Sequence, residues 1–161
     1  MQVREGCRVG VFCGGEYVPV LQEILGDARE EVLTCQYVWI WYVHSPRRWV
    51  HRLSLAAVAT ARRGVKMRVI LNRESGRNRL GRENERTAAV LREAGAVVRM
   101  GRPGVADHSK FWVIDHQVLV VCSHNLSTRS VTSNTELGVV VWSELAARDA
   151  IAYFEKLWSR G

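Results

Sequence analysis

The chain has 161 residues, 47% apolar and 24% charged, the balance of a water-soluble globular domain with a core of its own. Its longest apolar run, Tyr37 to Val43, is strand-length and far short of the roughly 20 residues a spanning helix needs, so no integral membrane span is expected. The net charge of +7 is uneven: residues 44–102 hold fifteen Arg or Lys against four Glu, and the rest holds eight basic against twelve acidic residues. A basic middle of this kind fits a polyanion, nucleic acid first and an anionic lipid surface second.

In chain order, Gly10 to Phe12 reads as a short strand. Tyr17, Val20, Leu21, Ile24, Leu25 and Ala28 then form the stripe of an amphipathic helix. Glu31 to Val43, rich in β-branched and aromatic residues, predicts one long buried strand in which Tyr37, Trp39, Trp41 and Tyr42 serve core packing. Ser45-Pro46 supplies an N-cap and a proline at the first helical position, opening a helix that Gly64 ends. Trp49, beside Arg47 and Arg48 on its first turn, is the aromatic best placed to touch a substrate. Lys66 to Leu71 is a strand, Arg73 to Asn84 a loop, Glu83 to Ala94 a helix and Ala96 to Met100 a strand. Gly101 to Asp107 turns the chain into two strands, Ser109 to Ile114 and Gln117 to Val121, hinged at Asp115-His116. A polar loop, a strand from Thr135 to Trp142 and a helix capped by Ser143 complete the chain.

This alternation predicts a single α/β domain over residues 1–161, with a mixed, mostly parallel β-sheet flanked by helices on both faces. The four cysteines, Cys7, Cys13, Cys35 and Cys122, show neither C-x-x-C pairing nor histidines at zinc-ligand spacing, so no metal and no cofactor is expected. Free thiols in a reducing compartment, and no apolar signal segment in Met1 to Gly10, point to a cytoplasmic protein.

The chemistry concentrates in His108-Ser109-Lys110-Phe111-Trp112-Val113-Ile114-Asp115, followed by Ser123-His124-Asn125 and then Glu136. Residues two apart on a strand share a face, so His108 sets an imidazole beside the Lys110 ammonium, and Ser123 and Asn125 can offer a hydroxyl and an amide to one phosphate. A neutral imidazole attacks only if its other nitrogen is held by an acceptor, a task that either carboxylate, Asp115 or Glu136, could perform. Taken singly, His108 reads as an ordinary strand histidine, Lys110 as an edge guard and Asp115-His116 as a hairpin turn.

Jointly, the pattern H-x-K-x4-D…S-x-N…E resembles the signature of the phospholipase D superfamily, and the elements from Tyr17 to Met100 look like the rest of that fold. The resemblance implies a metal-independent phosphodiesterase, most simply an endonuclease on DNA or RNA. It makes His108 the nucleophile of a covalent phosphohistidine, with Lys110, Ser123 and Asn125 on the phosphate. Glu136 would orient His108, and Asp115 would support the site. Family members with one motif build the site between two chains, so the resemblance also implies a homodimer. A phospholipid phosphodiesterase acting on cardiolipin-type substrates is the alternative within the family. A nucleic-acid-binding module with a degenerate site is the alternative outside catalysis, motivated by Cys122 where the family usually has glycine.

Overall fold

The computed structural model describes residues 7–42, 49–73 and 79–160. Among these residues seven strands are formed: β1 (Arg8–Cys13), β2 (Glu31–Gln36), β3 (Lys66–Leu71), β4 (Val97–Met100), β5 (Phe111–Ile114), β6 (Val118–Cys122) and β7 (Leu137–Trp142). They make one sheet in the order β1-β7-β6-β5-β2-β3-β4. Among the described residues five α-helices accompany it: α1 (Tyr17–Asp27), α2 (Trp49–Arg62), α3 (Arg79–Glu93), α4 (Thr128–Thr132) and α5 (Glu144–Trp158).

Helices on both faces are found as expected. One face packs α1, α2 and α3 through Leu21, Leu25, Leu53, Ala57 and Leu91. The other packs α5 through Ala147 and Phe154 onto Leu33, Ile70, Phe111 and Val113. The indole rings of Trp39 and Trp112 meet edge to face at 5.5 Å in the larger core. Each buried N–H is satisfied, Trp39 donating to Ser54 Oγ at 2.9 Å and Trp112 to the Tyr17 hydroxyl at 3.1 Å.

The sheet is mixed, but the expectation of a mostly parallel one is corrected. Only β2–β3 and β3–β4 run parallel, and the other four ladders are antiparallel. Helical crossovers join the parallel strands, whereas β5 and β6 are joined by the tight turn Asp115-His116-Gln117, closed by Gln117 N–H donating to the Ile114 carbonyl at 3.0 Å. Asp115 and His116 hold φ of 49° and 58°, the paired left-handed conformation whose twist suits a tight hairpin, and that turn forces antiparallel pairing.

Two element boundaries also move. The long strand predicted to Val43 stops at Gln36, because beyond it the backbone turns to other partners: Trp39 N–H donates to Asn84 Oδ1, and Ile40 N–H to the Leu126 carbonyl. The loop predicted to Asn84 is helical from Arg79, since the inward face of α3 uses Asn84 and Thr87 as well as Ala88 and Leu91. The predicted cap Ser45-Pro46 lies outside the described residues. Ser143 caps α5 as read, its Oγ accepting from Ala146 N–H at 3.3 Å, while the predicted polar loop contains α4, capped by Ser127.

Candidate active site

Strand β2 pairs parallel with β3 on one side and antiparallel with β5 on the other. A crevice opens outside the carboxyl end of such a switch point, the usual place for a ligand in an α/β sheet. His108 and Lys110 lie there, in the extended segment that leads into β5. The segment arrives through a close approach at Gly101, where an added Cβ would sit 1.8 Å from an oxygen of the Asp107 carboxylate and would have to displace it. Asn72, at the end of β3, accepts the Asp107 N–H on its Oδ1 at 2.8 Å and so fixes the residue just before His108.

Lys110 is buried, and its Nζ sits 3.2 Å from His108 Nδ1 and 2.6 Å from the His108 carbonyl. The Tyr37 ring packs on both, 4.5 Å from the His108 ring and 5.3 Å from the ammonium. Burial pulls the Lys110 ammonium below the usual lysine range. The expected imidazole–ammonium pair is therefore present. Its aromatic neighbour Tyr37 was assigned to the core by sequence, because alternation along a strand does not distinguish a packed ring from one at a strand's open end.

Strand β6 carries the other half. Cys122 N–H donates to the Lys110 carbonyl at 3.1 Å, which ties Ser123-His124-Asn125 to the His-Lys segment. Ser123 Oγ donates to Glu136, and Asn134 Nδ2 donates to the other carboxylate oxygen at 3.1 Å. Partial burial opposes ionisation of Glu136, yet these bonds outweigh it and hold the carboxyl below the usual range. The Ser123 proton thus belongs to Glu136 rather than standing free for a phosphate. Asn125 donates its N–H to Ser130 Oγ at 3.2 Å and buries its Oδ1 without a partner among the described residues. Asn134 carried no motif signal; its bond follows from sitting two residues before Glu136.

His124 is buried, with Nε2 2.9 Å from the Gly14 carbonyl and its ring stacked 4.6 Å from Tyr17. Burial lowers its pKa, as befits a neutral packing histidine, in agreement with its reading as an intervening residue. Trp49 opens α2 half-exposed, with the Arg52 guanidinium 5.4 Å from its ring.

The two candidate carboxylates are separated. Asp115 lies at the far end of β5, roughly 17 Å along the strand from Lys110 at about 3.3 Å per residue. There it accepts the backbone N–H groups of Arg29, Glu30 and Glu31 at 2.8, 2.8 and 3.0 Å. That geometry contradicts a catalytic placement for Asp115 and makes it a cap on the α1–β2 connection. Neither Asp115 nor Glu136 hydrogen-bonds His108 within the chain.

Cys122 stands on β6 directly opposite Gly138 of β7, and a Cβ at 138 would lie 2.8 Å from the cysteine Cβ. The bare Cα of Gly138 makes room for Cys122 and, still more closely, for the Phe12 ring, whose Cζ would lie 2.2 Å from a Cβ there. Burial pushes the Cys122 thiol up to about 11, so it is a neutral wall of the site and not a second nucleophile. Together with His108, Lys110, Phe111, Leu119, Val121, Ala150 and Tyr153 it lines an open cleft of about 380 Å³. Among the described residues, no three His, Cys, Asp or Glu converge as a metal site, and no helix is long and apolar enough to cross a membrane.

Comparison with known proteins bears on the family and the fold. The cow 5'-3' exonuclease PLD3 is 36% identical over 107 residues, 63% of this chain but 21% of that protein, so the chain spans about a fifth of such relatives. Human mitochondrial cardiolipin hydrolase is 26% identical over 159 residues, covering 99% of this chain and 58% of that one. The crystal structure of Nuc, a phospholipase D family member from Salmonella typhimurium, covers 96% of this chain and 97% of its own, with a TM-score of 0.77 at 19% identity. NucT from Helicobacter pylori gives 0.76 at 17% identity, covering 96% and 98%. Residues 21–158 match the family described as "Cardiolipin synthase, PLD-like domain", and the chain belongs to that phospholipase D-like family.

Proposed function

We propose that the chain is a phosphodiester hydrolase, an endonuclease on DNA or RNA that works without a metal as a homodimer. The observation that carries this reading is the Lys110 ammonium held 3.2 Å from the His108 imidazole at the mouth of the cleft. His108 attacks phosphorus, the bond to the leaving oxygen breaks, and a phosphohistidine forms. Water then attacks that intermediate and releases the imidazole. Lys110 and the Asn125 amide neutralise the phosphoryl oxygens as charge gathers on them. Nuclease names among the relatives and the basic 44–102 segment favour nucleic acid.

Two features of the single chain support the dimer. Among the described residues His108 has no carboxylate partner, and the 161 residues hold one H-x-K, whose imidazole cannot both attack phosphorus and protonate the leaving oxygen from the far side. A second copy facing the first supplies another imidazole and another Glu136 to the same phosphate. The surface supports such a contact. Helix α5 packs on β2, β5 and β6, and the outer strands of the same face expose Val9, Val11 and Leu137 at 53, 67 and 59%. An apolar sheet face of this kind beside the site suits burial against a copy of itself.

The test is cleavage of labelled single- and double-stranded DNA and RNA in excess EDTA by wild type, by His108→Ala and by a covalently tethered dimer with one His108→Asn. Activity in chelator, its loss by several orders of magnitude in His108→Ala, and a nearly dead tethered hybrid are expected. A half-active hybrid would refute the composite site, and a requirement for added magnesium would refute the mechanism. The human cardiolipin hydrolase, matched over nearly the whole chain, makes phospholipid the second reading. Cardiolipin vesicles cleaved faster than every oligonucleotide would put it first.

A further inference from the structure

Asn84 lies on α3, inside the stretch that sequence reads as loop, and is fully buried. Its amide is saturated. Oδ1 accepts from Trp39 N–H at 2.9 Å, while Nδ2 donates to the Tyr37 carbonyl and to the Asn72 carbonyl, each at 2.9 Å. Those carbonyls belong to the two segments that hold the nucleophile. Tyr37 lays its ring 4.5 Å from the His108 ring, and Asn72 fastens the Asp107 N–H immediately before it. Asn72 also donates its own N–H to the Gln36 carbonyl at 3.0 Å, closing the loop between the ends of β2 and β3.

We infer that Asn84 is a positioning residue for the His108–Lys110 pair, a clasp that joins the β2 and β3 ends so that Tyr37 and Asn72 grip the nucleophile from two sides. An isosteric carboxylate shows why the amide is needed. Asn84→Asp keeps the acceptor for Trp39 but sets an oxygen against two carbonyl oxygens, so both grips open while the shape stays the same. A buried threonine three residues on provides the contrast. Thr87 Oγ1 donates to the Trp39 carbonyl at 2.6 Å, on the same helix and to the same chain segment.

The role deepens the hydrolase reading and rests on it only for the activity arm. Asn84→Asp, Asn84→Ser and Thr87→Val are compared by thermal melting, by the imidazole NMR signal of His108 and by turnover of bis(p-nitrophenyl) phosphate. The His108 signal is identified by its loss in His108→Ala. All three variants should melt earlier. Only the Asn84 variants should shift or broaden the His108 signal and lose turnover, by about 10²-fold in kcat with little change in KM, the scale for a misplaced reacting group. Asn84→Ser, with one hydroxyl donor left, should fall between wild type and Asn84→Asp, and it carries the test if the aspartate variant does not fold. A wild-type His108 signal and kcat in a folded Asn84 variant would overturn the inference, as would an equal kcat loss in Thr87→Val. If wild type itself cleaves no phosphodiester, the hydrolase reading fails, and the NMR comparison still decides the clasp.

Discussion

Replacing Asp115 by alanine separates a structural carboxylate from a catalytic one. Three backbone N–H groups converge on it at 2.8, 2.8 and 3.0 Å, at positions that are exposed or half-buried. In such settings each bond contributes about 1 kcal/mol, below the full range for charged acceptors because water competes. Alanine must also adopt the φ of 49° that aspartate tolerates, at a cost of about 1 kcal/mol. The loss is therefore about 3–4 kcal/mol, which for a chain of this size lowers Tm by on the order of 10 °C. Asp115→Asn should lose about half as much, since the amide oxygen still accepts and asparagine tolerates the left-handed turn. Differential scanning calorimetry measures the shift, and phosphodiesterase turnover per folded molecule at 20 °C should match wild type in both variants. Wild-type melting with turnover reduced 10²-fold would place Asp115 in the chemistry and refute this assignment.

Because burial lowers the Lys110 pKa, its charge is lost as pH rises through a value below that of free lysine. Turnover should accordingly show an alkaline limb below the usual lysine range, and Lys110→Arg should abolish that limb; an unchanged limb would assign it to another group. Glu136 has a lowered pKa, so its stabilising bonds are fully present above the unfolded carboxylate value and are lost as pH falls through the folded one. Urea midpoints of wild type and Glu136→Gln should thus differ above about pH 5 and converge in acid, whereas a constant gap would mean that the charge is irrelevant. Oligonucleotide affinity should weaken steeply with salt, yet Arg63→Met and Arg99→Met should lower Tm without changing the salt slope, because these side chains bond the Leu25 and Trp158 carbonyls. A slope reduced by about one unit would put the guanidinium on phosphate instead.

The fold was legible wherever a local pattern decides the outcome. The stripe from Tyr17, the strand from Lys66 to Leu71 and the Ser143 cap each depend on neighbours within a few residues. Strand direction was not legible. Parallel or antiparallel pairing depends on which distant strand lies alongside, and β7 pairs with β1 across the whole length of the chain. The end of β2 was hidden for the same reason. Nothing near Gln36 in sequence announces that Asn84, 45 residues past Trp39, takes over its backbone bond.

The candidate site divides along the same line. His108 and Lys110 come together as their two-residue spacing leads one to expect, and one hydrogen bond between Lys110 and Cys122 ties them to Ser123-His124-Asn125, where Ser123 bonds Glu136 instead. Asp115 is equally fixed in spacing, yet spacing records only that a residue matters at that point of the chain. Five residues along an extended strand put it at the opposite end of β5 from the pair that gives the pattern its chemistry. Its carboxylate closes a turn and caps the chain entering β2, so that β2 and β5, which lead to Tyr37 and from His108, are pinned at one end by Asp115 and at the other by Asn72 and Asn84. A single signature can therefore hold one residue for the reaction and another for the register of the strands that deliver it.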